Sequence, residues 1–248
     1  MITLKLYRRN EILFAIAVIV AYVLVCGNLR ALGDDSPYMT LGLLAFSGLL
    51  FAFVRKNGLM EKYGLSGWAR NSRQMLYFIP LWIVTTGNLW GGVMPKYEGI
   101  GLLCAVASFA LVGFAEELVF RGILFKAMLK DGSAKTAVIV SSVTFGIGHI
   151  VNLLTGQASF ETVLQIIFAI SMGFIFTFVF YKSGSMLPGI ISHSLIDVFS
   201  VFSGRSETAD WISMGVVLVV AIAYSICLSR VETPPVNRAG HSENAGRA

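Results

Sequence analysis

Long apolar runs separated by short polar segments dominate the chain. Eight of these runs approach the roughly 20 residues that a helix needs to cross the hydrocarbon core of a bilayer. The runs lack the two-residue alternation of outer-membrane β-strands, and an open sheet would leave backbone N–H groups unpaired in lipid. We therefore predict an all-α polytopic transmembrane helix bundle of about eight spans. The predicted spans are residues 12–29, 38–54, 74–93, 100–125, 136–154, 162–181, 187–202 and 211–229.

The first run is expected to be a retained anchor. Lys5, Arg8 and Arg9 precede it, as in a secretory signal. The run is longer than the apolar core of such a signal, however, and no Ala-x-Ala cleavage site follows it.

The composition agrees with a membrane protein. Hydrophobic residues make up 56% of the 248 residues and charged residues 13%, and the mean hydropathy is +0.74. Fifteen of the 19 Lys and Arg residues fall in one set of alternating segments, three in the other set, and Arg121 lies within a span. Basic residues stay on the cytoplasmic side, so we expect both termini to be cytoplasmic. This bias accounts for the net charge of +5 without nucleic acid as a partner.

Three regions are expected along the chain. Residues 1–98 hold the first helices and a basic cytoplasmic loop, and residues 99–230 hold a helical core that carries the chemistry. Residues 231–248 are polar, contain proline and have few apolar positions, which predicts a disordered cytoplasmic tail.

Six ionisable residues lie within the predicted spans of this core. Such groups are costly inside a bilayer, so their first interpretation is functional. They are Glu116, Glu117, Arg121, His149, His193 and Asp197.

Helical geometry sorts these residues into pairs. Residues four apart share a helix face, so Glu117 can neutralise Arg121, and His193 can contact Asp197. Glu116 points in another direction and has no such partner in its own helix.

The remaining residue, His149, follows Phe145 at the same four-residue spacing. Gly146 and Gly148 remove bulk from this helix, which allows a neighbour or a substrate to approach. A carboxylate and two imidazoles in a dry bundle can form a hydrolytic site, because they supply a base for water, a group that holds the water and a donor for the oxyanion.

At these residues the chain resembles the CPBP family of intramembrane proteases, which includes the type II CAAX prenyl endopeptidases and bacterial Abi or bacteriocin-processing proteins. The family's Glu-Glu-x-x-x-Arg motif is matched by Glu116, Glu117 and Arg121, its Phe-x-x-x-His motif by Phe145 and His149, and its His-x-x-x-Asn/Asp motif by His193 and Asp197. The resemblance covers about residues 113–202.

The resemblance implies a role for each matched residue. Glu116 would activate a water shared with His149, and His193 with its partner Asp197 would stabilise the oxyanion, while Glu117, Arg121 and Phe145 would support them. CAAX proteases have Asn where this chain has Asp197. An ionised Asp197 would accept the N–H of His193 and fix its tautomer, whereas a protonated Asp197 would donate to the oxyanion directly.

The resemblance implies an intramembrane endopeptidase that acts on a hydrophobic or lipid-modified peptide, or on a membrane protein, in the bacterial plasma (inner) membrane. No cofactor is favoured. Three alternatives stay open: a zinc-dependent protease with Glu116, His149 and His193 as ligands, a non-catalytic immunity or regulatory partner, and a proton-coupled transporter.

Overall fold

The computed structural model describes residues 2–155, 158–204 and 206–237. The prediction of an all-α fold is confirmed. The α-helices are α1 (Ile2–Arg9), α2 (Glu11–Arg30), α3 (Pro37–Lys56), α4 (Ile79–Thr85), α5 (Gly99–Glu116), α6 (Lys126–Asp131), α7 (Ala134–Gly148), α8 (Ser159–Ser183), α9 (Leu187–Val201) and α10 (Glu207–Ser229). A π-helix, Glu117–Phe125, joins α5 to α6, and short 3-10 helices occupy Leu76–Phe78, Gly87–Leu89, His149–Thr155 and Pro235–Asn237.

Among the described residues, six helices are long and apolar enough to cross a membrane. They correspond to six of the eight predicted spans, and one of them is the continuous 33-residue rod Gly99–Asp131. The other two predicted spans are shorter apolar helices, Leu76–Thr85 and Leu187–Val201. Hydropathy recognised these two segments as apolar but overestimated the length of the first.

The predicted span 74–93 is interrupted at both ends. Leu76, Tyr77 and Phe78 have positive φ angles of 53°, 48° and 60°, a left-handed conformation that is costly for residues with a side chain. An α-helix begins only at Ile79 and ends at Thr85. The segment therefore crosses part of the bundle as a short helix.

Both ends of the described chain lie at one end of the bundle. Glu11, next to α1, pairs with Lys62 and with Lys130 at the end of α6. Lys126, near that same end, donates to the backbone oxygen of Val236. The N-terminal and C-terminal parts therefore share one side, as the charge distribution predicts.

The prediction of a tail that is disordered from residue 231 is wrong for its first seven residues. Asn237 is buried, donates to the carbonyl groups of Phe180 and Tyr181, and accepts from Lys126. Lys182 donates to the carbonyl of Val231. These lysines need acceptors because they are largely buried, and the polar segment supplies them. Residues 238–248 lie outside the described part of the chain.

A close helix crossing sets the position of the functional residues. A Cβ atom on Gly113 of α5 would lie 2.6 Å from the backbone nitrogen of Ser194 in α9. The Ser194 hydroxyl also donates to the carbonyl of Ala110 at 2.9 Å. The contact brings the end of α5, with Glu116, next to His193.

Candidate active site

The first motif lies where an α-helix changes into a π-helix. Glu116 is the last residue of α5, and the π-helix begins at Glu117. All nine residues of the π-helix are buried. π-helical turns are rare and often occur at functional sites, and no pattern in the sequence indicated this one.

The predicted pair of Glu117 and Arg121 is present and fully buried. One guanidinium nitrogen of Arg121 lies 2.9 Å from Glu117 Oε1, and the two side chains are 0% and 1% exposed. The guanidinium also lies 4.2 Å from the centre of the Phe145 ring and 5.3 Å from that of Phe176. These aromatic faces contribute a further attraction for the cation. Phe145 therefore contacts the support pair, as the motif pattern implied, and Phe176 was not predicted.

His193 is oriented by Glu117 and not by Asp197. Its Nδ1 lies 2.8 Å from Glu117 Oε1, within hydrogen-bonding distance. Its Nε2 is 3.7 Å from Asp197 Oδ2, which is too long for a hydrogen bond. The expectation that an ionised Asp197 fixes the His193 tautomer is thus wrong, because the π-helix turns Glu117 toward the imidazole and α9 leaves Asp197 farther away.

Glu116 has partners from two other helices. Its Oε1 accepts a 2.6 Å hydrogen bond from the hydroxyl of Tyr22 in α2, and its Oε2 lies 3.3 Å from His193 Nε2. Glu116 has no partner within its own helix, and its bond with Tyr22 was not predicted. The two residues are 94 positions apart, so no local pattern could join them.

His149 and Asp197 face the same cavity as Glu116 and His193. This cavity has a volume of about 740 Å³. A smaller cavity of about 340 Å³ adjoins Tyr22, and both cavities are lined by Glu116, His149 and Phe145. His149 also packs against the Phe145 ring, with 5.5 Å between the ring centres. The structure therefore brings all four predicted catalytic residues to one cavity.

The two glycines that precede His149 have different surroundings. A Cβ atom on Gly146 would lie 2.8 Å from the backbone nitrogen of Ile170, so this glycine allows α7 to approach α8. Gly148 has open space and lines the smaller cavity. One glycine serves helix packing and the other leaves room beside His149.

Arg30 is a second residue that sequence analysis did not identify. It lines both cavities at the end of α2. The available signal was the spacing of Tyr22, Cys26 and Arg30, which places three polar side chains four residues apart on one face of a very apolar helix.

The side chains do not form a compact metal site. Among the described residues, no group of three or more His, Cys, Asp and Glu side chains is arranged to hold a metal ion. The three suggested zinc ligands share a cavity, but Glu116 and His193 contact each other and their other neighbours directly.

The fold and the site together define a class of protein: a multi-pass helical membrane protein with carboxylates and imidazoles buried in its interior. Residues 98–199 match the sequence model of the family described as type II CAAX prenyl endopeptidase Rce1-like. The match covers less than half of the chain and includes all three motifs, and it confirms the family that those motifs indicated. Residues 98–199 of this chain are therefore similar to CAAX proteases of this type. A comparison with curated proteins gave no match.

Proposed function

We propose that this protein is an intramembrane endopeptidase in which Glu116 activates the attacking water. One observation carries the proposal: the Glu116 carboxylate lines a cavity inside the helix bundle and lies between the Tyr22 hydroxyl and the His193 imidazole. A carboxylate held by fixed neighbours is suited to removing a proton from water. The family match supports the same reaction class.

The proposed reaction is an ordinary peptide hydrolysis. Glu116 takes a proton from water as the oxygen attacks the substrate carbonyl, and His149 holds that water from the same cavity wall. The carbonyl oxygen becomes an oxyanion, which a protonated His193 Nε2 stabilises by donating a hydrogen bond. The proton on Glu116 then passes to the amine as the peptide bond breaks.

Glu117 and Arg121 act as positioning residues in this scheme. Arg121 pairs with Glu117 Oε1 at 2.9 Å and holds this carboxylate in place. Glu117 Oε1 accepts a hydrogen bond from His193 Nδ1, so the other ring nitrogen, Nε2, remains directed at Glu116 and the cavity. Asp197 Oδ2 lies 3.7 Å from Nε2, on the same side of the ring.

The substrate proposed for this site is a hydrophobic or lipid-modified peptide, or a membrane-protein segment, in a bacterial plasma membrane. Aromatic and aliphatic side chains line much of the larger cavity, including Phe109, Phe168 and Met172. Apolar walls with a few converging polar groups are typical of sites that bind apolar ligands. The bilayer would deliver such a substrate laterally.

The test uses protein reconstituted in liposomes and a library of hydrophobic decapeptides of random sequence, with products identified by mass spectrometry. Wild-type protein should cleave members of the library, and Glu116→Gln should not, although it folds. Glu61→Gln changes an exposed glutamate far from the cavity and should cleave like wild type. Equal cleavage by Glu116→Gln and wild type would refute the role of Glu116.

A second arm of this experiment tests the proposal that no metal takes part. Activity should persist after exhaustive treatment with a strong chelator. Loss of activity on chelation, with recovery when zinc is returned, would instead make Glu116, His149 and His193 candidate ligands.

A further inference from the structure

The His193 imidazole packs against two phenyl rings in addition to its contacts with glutamates. The ring of Phe176 is stacked on it, with 5.1 Å between the ring centres and 23° between the two planes. The ring of Phe145 meets it edge-on, with 5.4 Å between the ring centres and 87° between the planes. His193 is therefore held by carboxylates at its two nitrogens and by a flat neighbour against one face of its ring.

Phe176 is itself firmly placed. It belongs to α8 and is 1% exposed. Three residues earlier, a Cβ atom on Gly173 would lie 3.0 Å from the Cα atom of Ser142, so α8 lies directly against α7 at this level. This close crossing limits the movement of the helix turn that carries Phe176.

The stacked contact becomes important at one step of the proposed reaction. In the structure, Nδ1 of His193 contacts Glu117 and Nε2 contacts Glu116. When Nε2 donates to the oxyanion instead, the hydrogen bond to Glu117 remains as the link that orients the ring. One hydrogen bond tolerates a range of angles, whereas a stacked ring also restricts the plane of its neighbour.

The same phenyl ring also suits a cation. At that step both nitrogens of His193 carry protons, because Nδ1 donates to Glu117 and Nε2 donates to the oxyanion. The imidazole is then positively charged, and the face of a phenyl ring attracts a cation. Phe176 already has one such contact, since the guanidinium carbon of Arg121 lies 5.3 Å from the centre of its ring.

We propose that Phe176 is a positioning residue that fixes the plane of the His193 imidazole while Nε2 stabilises the oxyanion. This assignment rests on the proposed function and adds to it a residue outside the three motifs. A phenyl ring supplies neither an acid nor a base, so Phe176 acts through His193. Its loss should lower kcat and leave KM nearly unchanged, because the oxyanion forms only on the way through the transition state.

Two simpler roles for Phe176 make different predictions. If its ring served only to pack the core, its loss would lower stability but not the kcat of the folded protein. Phe176 also lines the larger cavity, and a ring that served only as cavity wall would change KM through its contact with an apolar substrate. A selective loss of kcat distinguishes positioning from both.

Phe180 provides a matched control on the same helix. It lies one turn after Phe176 and is 2% exposed. It also packs against an aromatic ring and a cation, with its ring centre 5.8 Å from that of Phe125 and 5.8 Å from Lys126 Nζ. Phe180→Leu therefore removes the same kinds of contact at a distance from His193.

The experiment compares wild-type protein, Phe176→Leu, Phe176→Tyr and Phe180→Leu in liposomes, with one hydrophobic decapeptide that the wild-type protein cleaves. Phe176→Leu should lower kcat about threefold to thirtyfold, the factor that corresponds to a buried contact between a cation and an aromatic ring. Phe176→Tyr keeps the stacked ring and should keep most of the kcat. Phe180→Leu should lose a similar amount of thermal stability in detergent and keep the wild-type kcat.

A second measurement needs no substrate. Nuclear magnetic resonance of protein with isotopically labelled histidines reports the ring signals of His193, which are assigned by their loss in His193→Gln. Wild-type protein and Phe180→Leu should show one sharp set of these signals. Phe176→Leu should show broadened or averaged signals, because its imidazole is free to change its plane.

The outcomes separate this assignment from the proposed function. The positioning role is overturned if Phe176→Leu keeps the wild-type kcat, if it changes KM alone, or if its His193 signals match those of wild-type protein. The proposed hydrolase stands in each of these cases. If wild-type protein cleaves no peptide, the proposed function is contradicted and the positioning role of Phe176 falls with it.

Discussion

Glu117 Oε1 serves two residues at once, since it lies 2.9 Å from an Arg121 nitrogen and 2.8 Å from His193 Nδ1. A single carboxylate oxygen thus connects the first motif with the third. Arg121 is completely buried, and two of its nitrogens have no hydrogen-bond partner among the described residues. The cation therefore depends on Glu117 and on the faces of Phe145 and Phe176.

Replacing Arg121 by alanine should destabilise the protein severely. It would leave the Glu117 carboxylate buried without its cation, and breaking a buried ion pair in this way costs about 3–5 kcal/mol. The midpoint of thermal unfolding in detergent and the yield of folded protein measure the effect. Glu116→Gln, which leaves the pair intact, is the matched control. Equal midpoints for the two variants would contradict a structural role for the pair.

Tyr22→Phe should lower activity without a comparable loss of stability. The change removes the 2.6 Å bond to Glu116, and hydrogen bonds to charged groups contribute about 1.5–3 kcal/mol. We expect kcat/KM to fall about tenfold to a hundredfold in the liposome assay. Tyr224→Phe removes a buried hydroxyl that donates to Met75, outside both cavities, and is the control. Undiminished cleavage by Tyr22→Phe would show that its hydroxyl does not assist the base.

The contacts between helices α5 and α9 decide whether Glu116 and His193 meet. Gly113 and Ser194 form the crossing, and each lies close in sequence to a functional residue. A small movement of either helix would change the 3.3 Å separation between Glu116 Oε2 and His193 Nε2. Packing at this crossing therefore sets the distance between these two side chains.

Gly113→Ala should reduce both stability and cleavage. The added Cβ would lie 2.6 Å from the Ser194 backbone nitrogen, so α9 must move away. Gly48→Ala is the matched control, because Gly48 of α3 has no atom within 4 Å of the added Cβ. That change should leave stability equal or raise it by up to about 1 kcal/mol, since alanine favours helix. If the two variants unfold at the same temperature, the crossing tolerates a methyl group.

The elements and the motifs were predictable to different degrees. Apolar runs indicated the six long spans, and the four-residue spacing indicated the Glu117–Arg121 pair, because both signals are local. The partner of Glu116 was not predictable, since Tyr22 belongs to another helix. Nothing in the sequence around Tyr22 distinguishes it from other tyrosines in apolar spans. Arg30 and Phe176 were not predicted for the same reason. The roles of the predicted catalytic residues stay predictions.

The larger cavity opens toward the end of the molecule that is remote from both chain ends. Arg30 ends α2, while the exposed residues Glu161, Glu207 and Asp210 lie in the first turns of α8 and α10, and all four line this cavity. Helix α10 runs from there to residue 229, next to the segment that contacts Lys126. If the termini are cytoplasmic, as basic residues predict, water reaches the site from the opposite side of the membrane.

Cysteine labelling in intact cells tests this orientation. In a background without Cys26, Cys104 and Cys227, Asp210→Cys should react with a membrane-impermeant maleimide added outside. Lys135→Cys, an exposed position at the start of α7, should react only after the membrane is opened. The reverse pattern would invert the topology and would place the cavity entrance in the cytoplasm.

The burial of Arg121 also has a consequence for biosynthesis. On biological insertion scales, a charged residue at the centre of a span raises the free energy of insertion by about 2.5–3.5 kcal/mol. Each large apolar residue lowers it by only about 0.3–0.6 kcal/mol. The helical segment Gly99–Asp131 carries Glu116, Glu117 and Arg121. We therefore expect this segment to insert poorly into the bilayer while it is being synthesised. Its aromatic and imidazole neighbours, Phe145, Phe176 and His193, are translated later. Stable integration of this segment should therefore wait until the ribosome has completed α9.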